Sequence, residues 1–513
     1  MLVKTRGASL FGMDAIGIQV EVNVSMGQGY CIVGLPDTAV KESLHRTEIA
    51  IKANGFQMPR TKLVINLAPA DIKKTGPAFD LPIAIGILAA SDQIINSAVL
   101  TDYLMMGELS LNGALQPIKG VLAMAIYAKE AGLAGLIIPS INAAEASLIE
   151  GLKVYAFDHL TEVTNFCNHP ASFTPFQQIE IDKETPITYP VDFAFIKGQL
   201  QAKRAIEIAA AGGHNLIMVG PPGAGKTLLA KTSISILPEM SHAETLETSK
   251  VYSLVGKLSS TTGLMQTRPF RNPHHSLSAI ALVGGGSIPQ PGEISMAHNG
   301  VLFLDELPEF SRAAIEILRQ PMEAGFVSIS RSRQTVEFPS RFMLFASMNP
   351  CPCGYFNHPQ KACTCSPSNV GKYLHKISGP LLDRIDLQIE VVPVTYEELT
   401  NNSIIECSMT IRNRVQKARA IQLKRYAKRP GINTNAQMQS YDLKEWAQLD
   451  GTSATLLKSA MEQFHLSARA YDRIIKVART IADLDGSKDI QNQHISESIQ
   501  YRTLDRAGWG QAY

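Results

Sequence analysis

A glycine-rich segment, GPPGAGKT at residues 220–227, carries the first recognisable chemistry in this sequence. It follows an apolar, strand-like run at 216–219 and precedes a helix-like stretch, which argues against a chance glycine-rich turn. In this context backbone N–H groups surround phosphates at a helix N-terminus, a lysine contacts the β- and γ-phosphates, and a hydroxyl ligates Mg²⁺. The sequence therefore predicts an ATP site formed by Gly220, Pro221, Pro222, Gly223, Ala224, Gly225, Lys226, Thr227 and Leu228.

Two further apolar runs end in polar residues that suit ATP hydrolysis. In GVLFLDELPEF, Asp305 is predicted to hold Mg²⁺ together with Thr227, and Glu306 to polarise the attacking water. In RFMLFASMNP, Asn349 is predicted to orient that water. The alternatives are a solvated acidic turn and a turn-capping asparagine. We therefore predict hydrolysis and not only nucleotide binding.

Three arginines are candidates for stabilising charge on a γ-phosphate. Arg384 lies in GPLLDRIDL, and Arg469 and Arg473 lie in LSARAYDRIIKVARTIADL. Most arginines only solvate a helix surface, and that alternative stays open from the residues alone.

Four of the seven cysteines fall within fifteen positions, directly after Asn349. Four thiolates are the number that a closed tetrahedral Zn²⁺ site requires, although the spacing of one residue within each pair is unusual. Free thiols and a redox-responsive pair are the alternatives. We predict a structural Zn²⁺ site formed by Cys351, Cys353, Cys363 and Cys365.

The texture of the 513-residue chain predicts three folded regions that position these residues. Short apolar runs alternate with helix-like stretches in 1–168 and again in 191–395, which is typical of α/β structure. A proline-rich stretch at 169–190 is the predicted linker, and 351–365 is a cysteine-rich loop of the second region. Residues 396–513 are polar and helical in pattern, which predicts a helical lid or C-terminal domain.

Composition excludes some classes of protein. The longest apolar run, LPIAIGILAA at 81–90, is about half of a membrane span, and the N-terminus shows no signal peptide. We therefore expect a cytoplasmic protein without a membrane segment. The net charge of +2 predicts that any nucleic-acid contact comes from local patches.

Two basic patches are candidates for such contact. GFVSISRSRQTVEFPSRF predicts a β-hairpin with Arg331 and Arg333 near its tip, a suitable place for phosphate contacts, and a solvated hairpin is the alternative. Residues 412–429 carry eight basic and no acidic side chains, so a nucleic-acid role and a solvated helix are both open. The adjacent His274 and His275 suit loop packing or strand contact better than metal binding.

Together, GPPGAGKT, LFLDELPEF, SMNPCPCG, GPLLDRIDL and LSARAYDRIIKVARTIADL resemble the ComM/YifB group of magnesium-chelatase-like AAA+ ATPases. The resemblance implies a central AAA+ P-loop α/β/α domain, ATP and Mg²⁺ as ligands, and a ring, expected to be a homo-hexamer. It implies that Asn349 is sensor 1, Arg384 an arginine finger acting on a neighbouring subunit, and Arg469 sensor 2, with Arg473 the second choice.

The same resemblance implies a DNA motor. Its expected activity is helicase-driven branch migration in natural transformation and recombination, on single-stranded and branched DNA and with other recombination proteins as partners. The alternative is a protein-remodelling or magnesium-chelatase-type ATPase.

The N-terminal region resembles the Lon-like (ribosomal S5 domain 2-like) α/β domain. GPAFDLPIAIGILAAS matches the segment with the Lon nucleophile, and GELSLNGALQPIKGVLAMAIYAKEAG matches the segment with its lysine. Ala78 and Leu122 stand at those two positions, and Lys119 is displaced by three residues. Without a serine and a lysine within reach, Ser–Lys proteolysis is lost. We expect a non-proteolytic domain.

Overall fold

A seven-stranded mixed sheet forms the first part of the computed structural model, in the order β3-β4-β2-β1-β5-β8-β9. The structure describes residues 1–177, 189–259, 261–286, 288–331, 334–356, 361–400, 406–429 and 431–502. The strands of this region are β1 Leu2–Phe11, β2 Asp14–Ser25, β3 Tyr30–Val33, β4 Lys62–Ala68, β5 Tyr103–Met105, β6 Glu108–Leu109, β7 Leu115–Gln116, β8 Gly135–Pro139 and β9 Val154–Phe157. Its helices are α1 Thr38–Ala53, α2 Asp80–Ala90, α3 Val121–Glu130, α4 Ala143–Ala146 and α5 Leu160–Asn168.

Helix α2 explains the apolar run at 81–90. All of its residues are buried, because it packs against β1, β2 and α1 in the core of this region. Its one charge, Asp80, is bound by the guanidinium of Arg46 at 2.8 and 3.0 Å and by the backbone N–H of Leu109 at 3.1 Å. A helix that is apolar on all sides is stable in a protein core, so the run needs no membrane. Within the described residues no helix has the length and apolar character to cross a bilayer.

Half of the predicted linker, residues 178–188, lies outside the described residues. Its first part is packed against the N-terminal region. Phe173 stacks edge-on against Phe157 and Phe166 with ring centroids 5.6 Å apart, and the N–H of Phe176 donates to the carbonyl of Val154 at 2.7 Å. The prolines predict a linker over 169–190, and Phe173 and Phe176 in its first part pack against the core of the N-terminal region.

A five-stranded parallel sheet in the order β11-β14-β17-β10-β18 organises the second region. The strands of this region are β10 Leu216–Val219, β11 Phe270–Arg271, β12 Gly284–Gly285, β13 Gln290–Pro291, β14 Val301–Leu304, β15 Phe326–Arg331, β16 Gln334–Pro339, β17 Met343–Met348 and β18 Leu387–Glu390. Its helices are α6 Leu200–Gly212, α7 Lys226–Thr232, α8 His242–Val255, α9 Ala279–Val283, α10 Glu293–Met296, α11 Arg312–Glu316, α12 Arg319–Ala324, α13 Pro367–Leu374 and α14 Gly379–Leu382.

Both faces of this sheet are covered, which is why its strands are apolar at consecutive positions. Along β10, Leu216 and Met218 face a core that includes α6, whereas Ile217 and Val219 face the side of α11 and the β15–β16 hairpin. The sheet is therefore the rigid support from which the carboxyl ends of the strands present their polar residues.

Residues after β18 are helical, as the sequence predicts. The helices are α15 Tyr396–Thr400, α16 Ser408–Arg425, α17 Ser440–Trp446, α18 Gly451–Phe464, α19 Ala468–Leu484 and α20 Asn492–Gln500. Helix α19 buries one face, including Ile474, Val477 and Ile481, and joins the core of the parallel sheet to a separate helical core.

The basic run at 412–429 is mostly directed into the protein. Arg412 and Arg419 donate to backbone carbonyls of 210, 211 and 235. Arg414, Arg425 and Arg429 pair with carboxylates on other elements. The run lacks acidic residues in the sequence, but in the fold its acidic partners come from other parts of the chain. Its arginines therefore form internal contacts.

Candidate nucleotide-hydrolysis site and cysteine cluster

The P-loop joins β10 to the first turn of α7. Gly223 and Gly225 adopt positive φ of 79° and 87°, and a Cβ at either would meet nothing within 4 Å. A Cβ on Gly220 would instead lie 2.1 Å from the carbonyl oxygen of Val391 in the adjoining chain segment. The loop is thus tight on its protein side and open on its outer side, as a phosphate cradle must be.

Lys226 lies at the centre of the loop, almost completely buried. Its ammonium donates to the carbonyls of Gly220 at 2.5 Å and Pro221 at 2.9 Å and to Oδ1 of Asn349 at 3.1 Å. Burial lowers the pKa of Lys226. Because all its contacts are neutral oxygens, the ammonium is held without a direct ion pair, and a phosphate is the natural counter-charge.

Thr227 and Asp305 place two hard oxygen donors side by side, and Ser347 contacts the same carboxylate. The hydroxyl of Thr227 donates to Oδ2 of Asp305 at 2.7 Å, and the hydroxyl of Ser347 donates to Oδ1. Carboxylate and hydroxyl oxygens are what Mg²⁺ binds in such sites, so the donor set fits that ion. Ser347 was missed in the sequence because it lies on β17, 42 residues after Asp305; the polar residue inside an apolar strand was the available signal.

Glu306 has left-handed backbone geometry, with φ of 54°, directly after Asp305. Its carboxylate is half-exposed, and its Oε2 lies 3.6 Å from Nδ1 of His275. His275 also contacts Phe310 edge-on, with centroids 6.4 Å apart. The histidine predicted to be a loop-packing residue is therefore next to the predicted catalytic carboxylate. Nothing in the spacing of the sequence indicated this.

Asn349 follows β17 and faces the P-loop. Besides the contact of its side chain with Lys226, the backbone carbonyl of the preceding Met348 accepts from the N–H of Gly220 at 3.1 Å. The structure therefore brings Lys226, Thr227, Asp305, Glu306 and Asn349 to one edge of the sheet, where β10, β14 and β17 end.

Arg384 lies at the opposite edge of the sheet. It precedes β18, and its carbonyl accepts from Asn215, which precedes β10, at 3.0 Å. Four residues of strand, about 13 Å, separate the two edges. Its guanidinium is buried, pairs with Glu323 and donates to the carbonyl of Pro380 at 2.5 Å. Arg384 is thus remote from the P-loop of its own chain.

Arg469 and Arg473 share that edge. Arg469 is 62% exposed and lies 3.7 Å from Asp383, beside Arg384. Arg473 pairs with the buried Asp386 at 2.8 Å and lines a cavity of about 680 Å³ between the sheet and the helical region. Arg473, with His214, holds the pKa of Asp386 far below its usual value despite burial. Arg473 therefore fastens the helical region to the sheet, and Arg469 is the more available of the two.

The four cysteines predicted to bind metal converge. Their sulfurs all lie within 4.8 Å of one another, with the Sγ of Cys363 at 3.7 Å from Cys351 and 3.5 Å from Cys353. Four sulfurs at 2.3 Å from a Zn²⁺ ion are about 3.8 Å apart, so the cluster has the dimensions of a tetrahedral site. The backbone N–H groups of Tyr355 and Thr364 lower the pKa of Cys353 to about 5.

The predicted DNA contacts are only partly described. An antiparallel hairpin is present, with Arg331 at the end of β15 paired in register with Gln334. Arg333 lies outside the described residues.

In the N-terminal region, the two positions that correspond to the Lon serine and lysine belong to the core. Leu122 lies inside it and Ala78 lies at its edge. Ala78 lies in a short 3₁₀ turn, Pro77–Phe79. Leu122 is buried in α3, and its N–H donates to Oε1 of Glu145 at 2.8 Å. A cation at 122 would have to enter an apolar core. The stem of Lys119 lies beside Gly256 of the second region.

Comparison with known proteins agrees with this architecture. Residues 192–399 match the model described as magnesium chelatase, subunit ChlI; residues 20–142 match subunit ChlI of Mg-chelatase; and residues 405–502 match the ChlI C-terminal model. The protein YifB of Escherichia coli K12 is 42% identical over 98% of this chain and 97% of its own length. The competence protein ComM of Haemophilus influenzae is 44% identical over 96% of both chains.

The chain belongs to the ComM/YifB group of the magnesium chelatase ChlI family. Members of this family are AAA+ ATPases that use ATP and Mg²⁺, in agreement with the P-loop and the Thr227–Asp305 pair. Lon protease 2 of Bacillus subtilis is 28% identical over 35% of both chains. Similarity to ComM/YifB proteins thus spans nearly the whole chain, whereas similarity to Lon proteases covers about a third of it.

Proposed function

We propose that this ComM/YifB-type protein is an ATP-hydrolysing hexameric DNA motor that drives branch migration during natural transformation and recombination. The observation that carries the proposal is the identity of 44% over 96% of both chains to a protein named for competence. Its site supports hydrolysis, because a complete set of polar residues meets at one edge of the sheet.

In the proposed reaction Lys226 binds the β- and γ-phosphates of the substrate in place of its present carbonyl partners. Thr227 and Asp305 would hold Mg²⁺, which neutralises phosphate charge when bound. Glu306 accepts a proton from the attacking water, and Asn349 orients that water. His275, at 3.6 Å from Glu306, is the neighbouring side chain that can orient this carboxylate.

A ring explains why the arginines lie far from the P-loop of their own chain. When subunits stack edge to edge, the edge with Arg384 and Arg469 meets the P-loop edge of the neighbour. The neighbour's γ-phosphate then competes with Glu323 for Arg384, and the arginine finger acts between subunits. We propose that Arg469 serves as sensor 2 across the same boundary.

We propose that DNA contacts the β15–β16 hairpin through Arg331 and Arg333, the two arginines that the sequence predicts near its tip. Arginines in a ring channel contact phosphates without reading sequence, so binding would weaken strongly with added salt. The internal pairing of the 412–429 arginines supports the choice of the hairpin over that run.

A protein-remodelling or chelatase-type ATPase is the second candidate. It is favoured by the match of residues 192–399 to the magnesium chelatase model. Against it stands the likeness of the full chain, including the Lon-like region, to the competence protein ComM.

ATP-dependent strand exchange on three-stranded and forked DNA tests the proposal. Wild type should move the branch point, Glu306→Gln should bind nucleotide and DNA without movement, and Arg331→Ala/Arg333→Ala should hydrolyse ATP but fail on DNA. Arg412→Ala, which removes a basic residue from the run with internal contacts, is the control for a general loss of charge. Wild-type protein that hydrolyses ATP yet neither binds DNA nor moves the branch point would exclude the motor and favour the second candidate.

We also propose that the four clustered cysteine thiolates hold a structural Zn²⁺ ion. The closeness of the four sulfurs supports it, and metal analysis of purified protein should return about one zinc per chain.

A further inference from the structure

The cysteine cluster lies directly against the nucleotide loop. Gly354, in the turn between the two cysteine pairs, has φ of 84°, and a Cβ there would lie 2.5 Å from Cδ and 2.9 Å from Cγ of Pro222. Pro222 is the third residue of GPPGAGKT. The turn is therefore in close contact with the P-loop, and only glycine fits at this approach.

The same turn is fixed from inside by the cysteines. Cys351 is fully buried, its carbonyl accepts from the N–H of Gly354 at 3.0 Å, and its sulfur lies 3.3 Å from that of Cys353. Gly354 thus follows the position of the first cysteine pair. Four sulfurs that share an ion would lock this position, because the second pair fastens the first from across the loop.

The stem of the loop has further contacts with the P-loop. The carbonyl of Met348 accepts from Gly220, and Asn349 accepts from Lys226. Together with Gly354 against Pro222, the segment 348–354 contacts the P-loop at its first residue, its third residue and its lysine. Such a segment supports the loop in the conformation that receives phosphate.

We infer that the four-cysteine cluster, acting through the segment 348–354, is a metal-dependent brace for the P-loop, so that binding of a transition-metal ion of the Zn²⁺ class raises nucleotide affinity. The inference rests on the zinc site proposed above, and it is independent of DNA. When the ion is lost, the four thiols are no longer tied together, Gly354 moves away from Pro222, and the P-loop loses pre-organisation. Nucleotide binding then carries the cost of reordering the loop.

Two kinds of variant separate the metal from the contact. Cys353→Ser/Cys363→Ser removes two ligands and should abolish metal binding. Gly354→Ala leaves all four cysteines but forces a methyl group into Pro222. Gly55→Ala, at a φ of 79° with nothing within 4 Å of its Cβ, is the matched control for backbone strain without a neighbour.

The measurements are metal content of purified full-length protein by elemental analysis and titration with a fluorescent ADP analogue in Mg²⁺. Wild type and Gly55→Ala should contain one metal and bind equally. The double cysteine variant should contain none and Gly354→Ala should keep its metal, and both should bind about three- to tenfold more weakly. Thermal melts establish that each variant is folded.

Each of the other outcomes would contradict a stated part of the proposal. Nucleotide affinity that is unchanged in the metal-free cysteine variant overturns the brace while leaving the zinc site in place. Wild-type protein without metal overturns both, and unchanged affinity in Gly354→Ala overturns the role of the Pro222 contact. None of these results bears on whether the protein moves DNA.

Discussion

Asp305 is oriented by two hydroxyl groups from different elements, and this arrangement has a measurable consequence. Thr227 donates to one carboxylate oxygen and Ser347 to the other. Thr227 is expected to turn to Mg²⁺ in the reaction, which leaves Ser347 as the group that holds the carboxylate in place. Ser347 is therefore a positioning residue and not a ligand.

Ser347→Ala should raise the Mg²⁺ concentration for half-maximal ATP hydrolysis by about tenfold, the effect of losing one hydrogen bond to a charged group. The measurement is a Mg²⁺ titration of steady-state ATPase activity. Ser340→Ala is the control, because that buried hydroxyl has no hydrogen-bond partner in the structure. If the two variants have the same Mg²⁺ dependence, Ser347 does not position Asp305.

The site residues that can be predicted from the sequence are those marked by a pattern in the neighbouring residues. Lys226, Thr227 and Asp305 each lie at a fixed place relative to an apolar strand, so the pattern that predicts the strand also predicts their position. Ser347 and His275 join the site only through contacts between elements distant in sequence, for which the sequence has no spacing rule. The internal pairing of the arginines at 412–429 could not be predicted for the same reason, since their partners come from other elements.

At the scale of elements, the turn between β1 and β2 contacts the middle of strand β16 in the proposed DNA hairpin. Gly12, at φ of 60°, approaches Val336 of β16 so closely that a Cβ would lie 2.6 Å from Cγ1. Beside it, Asp14 pairs with Lys250 of α8 at 2.6 Å. The N-terminal region thus contacts the ATPase region at the hairpin as well as at α8.

Gly12→Ala should destabilise the protein by about 1–3 kcal/mol through overpacking, in addition to the backbone strain. Gly486→Ala, at φ of 68° with no atom within 4 Å of its Cβ, measures the strain alone. Adding Val336→Ala should recover the packing part, so the double-mutant cycle in chemical denaturation should show a coupling of about 1 kcal/mol or more. Additive effects would mean that the turn and the hairpin do not contact each other in solution.

A buried carboxylate links the same two regions. Glu145 of α4 accepts from the N–H of Leu122 and from the hydroxyl of Ser253 on α8. Burial raises the pKa of Glu145 above its usual 4.5. The folded chain therefore holds this proton to higher pH than the unfolded chain, and this contribution to stability is lost as the pH rises from about 4.5 through the raised pKa.

Glu145→Gln keeps the accepting oxygen and removes the buried charge. The melting temperature of the variant should match that of wild type near pH 4.5 and exceed it increasingly toward pH 8. Differential scanning calorimetry across that range is the measurement. Glu150→Gln is the control, because Glu150 is an exposed carboxylate close to Glu145 in the sequence. The melting temperature of this variant should equal that of wild type at each pH. If Glu145→Gln is less stable than wild type at pH 8, the buried charge of Glu145 does not destabilise the fold.

For the whole molecule, the fold predicted from the family resemblance agrees with the structure, because each region carries its own periodic apolar pattern. The parallel sheet, its two covered faces and the helical region after β18 all follow from such patterns. How the regions contact each other did not follow. Gly12, Glu145 and Ser253 belong to no sequence motif. Each has a role only because of the surface of the other region that packs against it.

From the position of Arg384 we predict that it acts on the P-loop of a neighbouring subunit. A single variant cannot test this prediction, but a mixture of two variants can. A chain with Lys226→Ala cannot hold phosphate but offers an intact Arg384, and a chain with Arg384→Ala has the reverse defect. Each variant alone should have very low ATPase activity. If the two variants are mixed in equal amounts, the proposed rings would place an intact P-loop against an intact Arg384 at about a quarter of their interfaces.

Activity of the mixture should therefore rise to roughly a quarter of the wild-type value, since complementary defects meet only between subunits. Steady-state ATPase measured after dissociation and reassembly of the two variants gives the result. Lys226→Ala mixed with the double variant Lys226→Ala/Arg384→Ala is the control and should stay inactive, because no intact P-loop is present. An inactive test mixture whose subunits have exchanged would place Arg384 outside the hydrolysis step, and an active Arg384→Ala protein would do so directly.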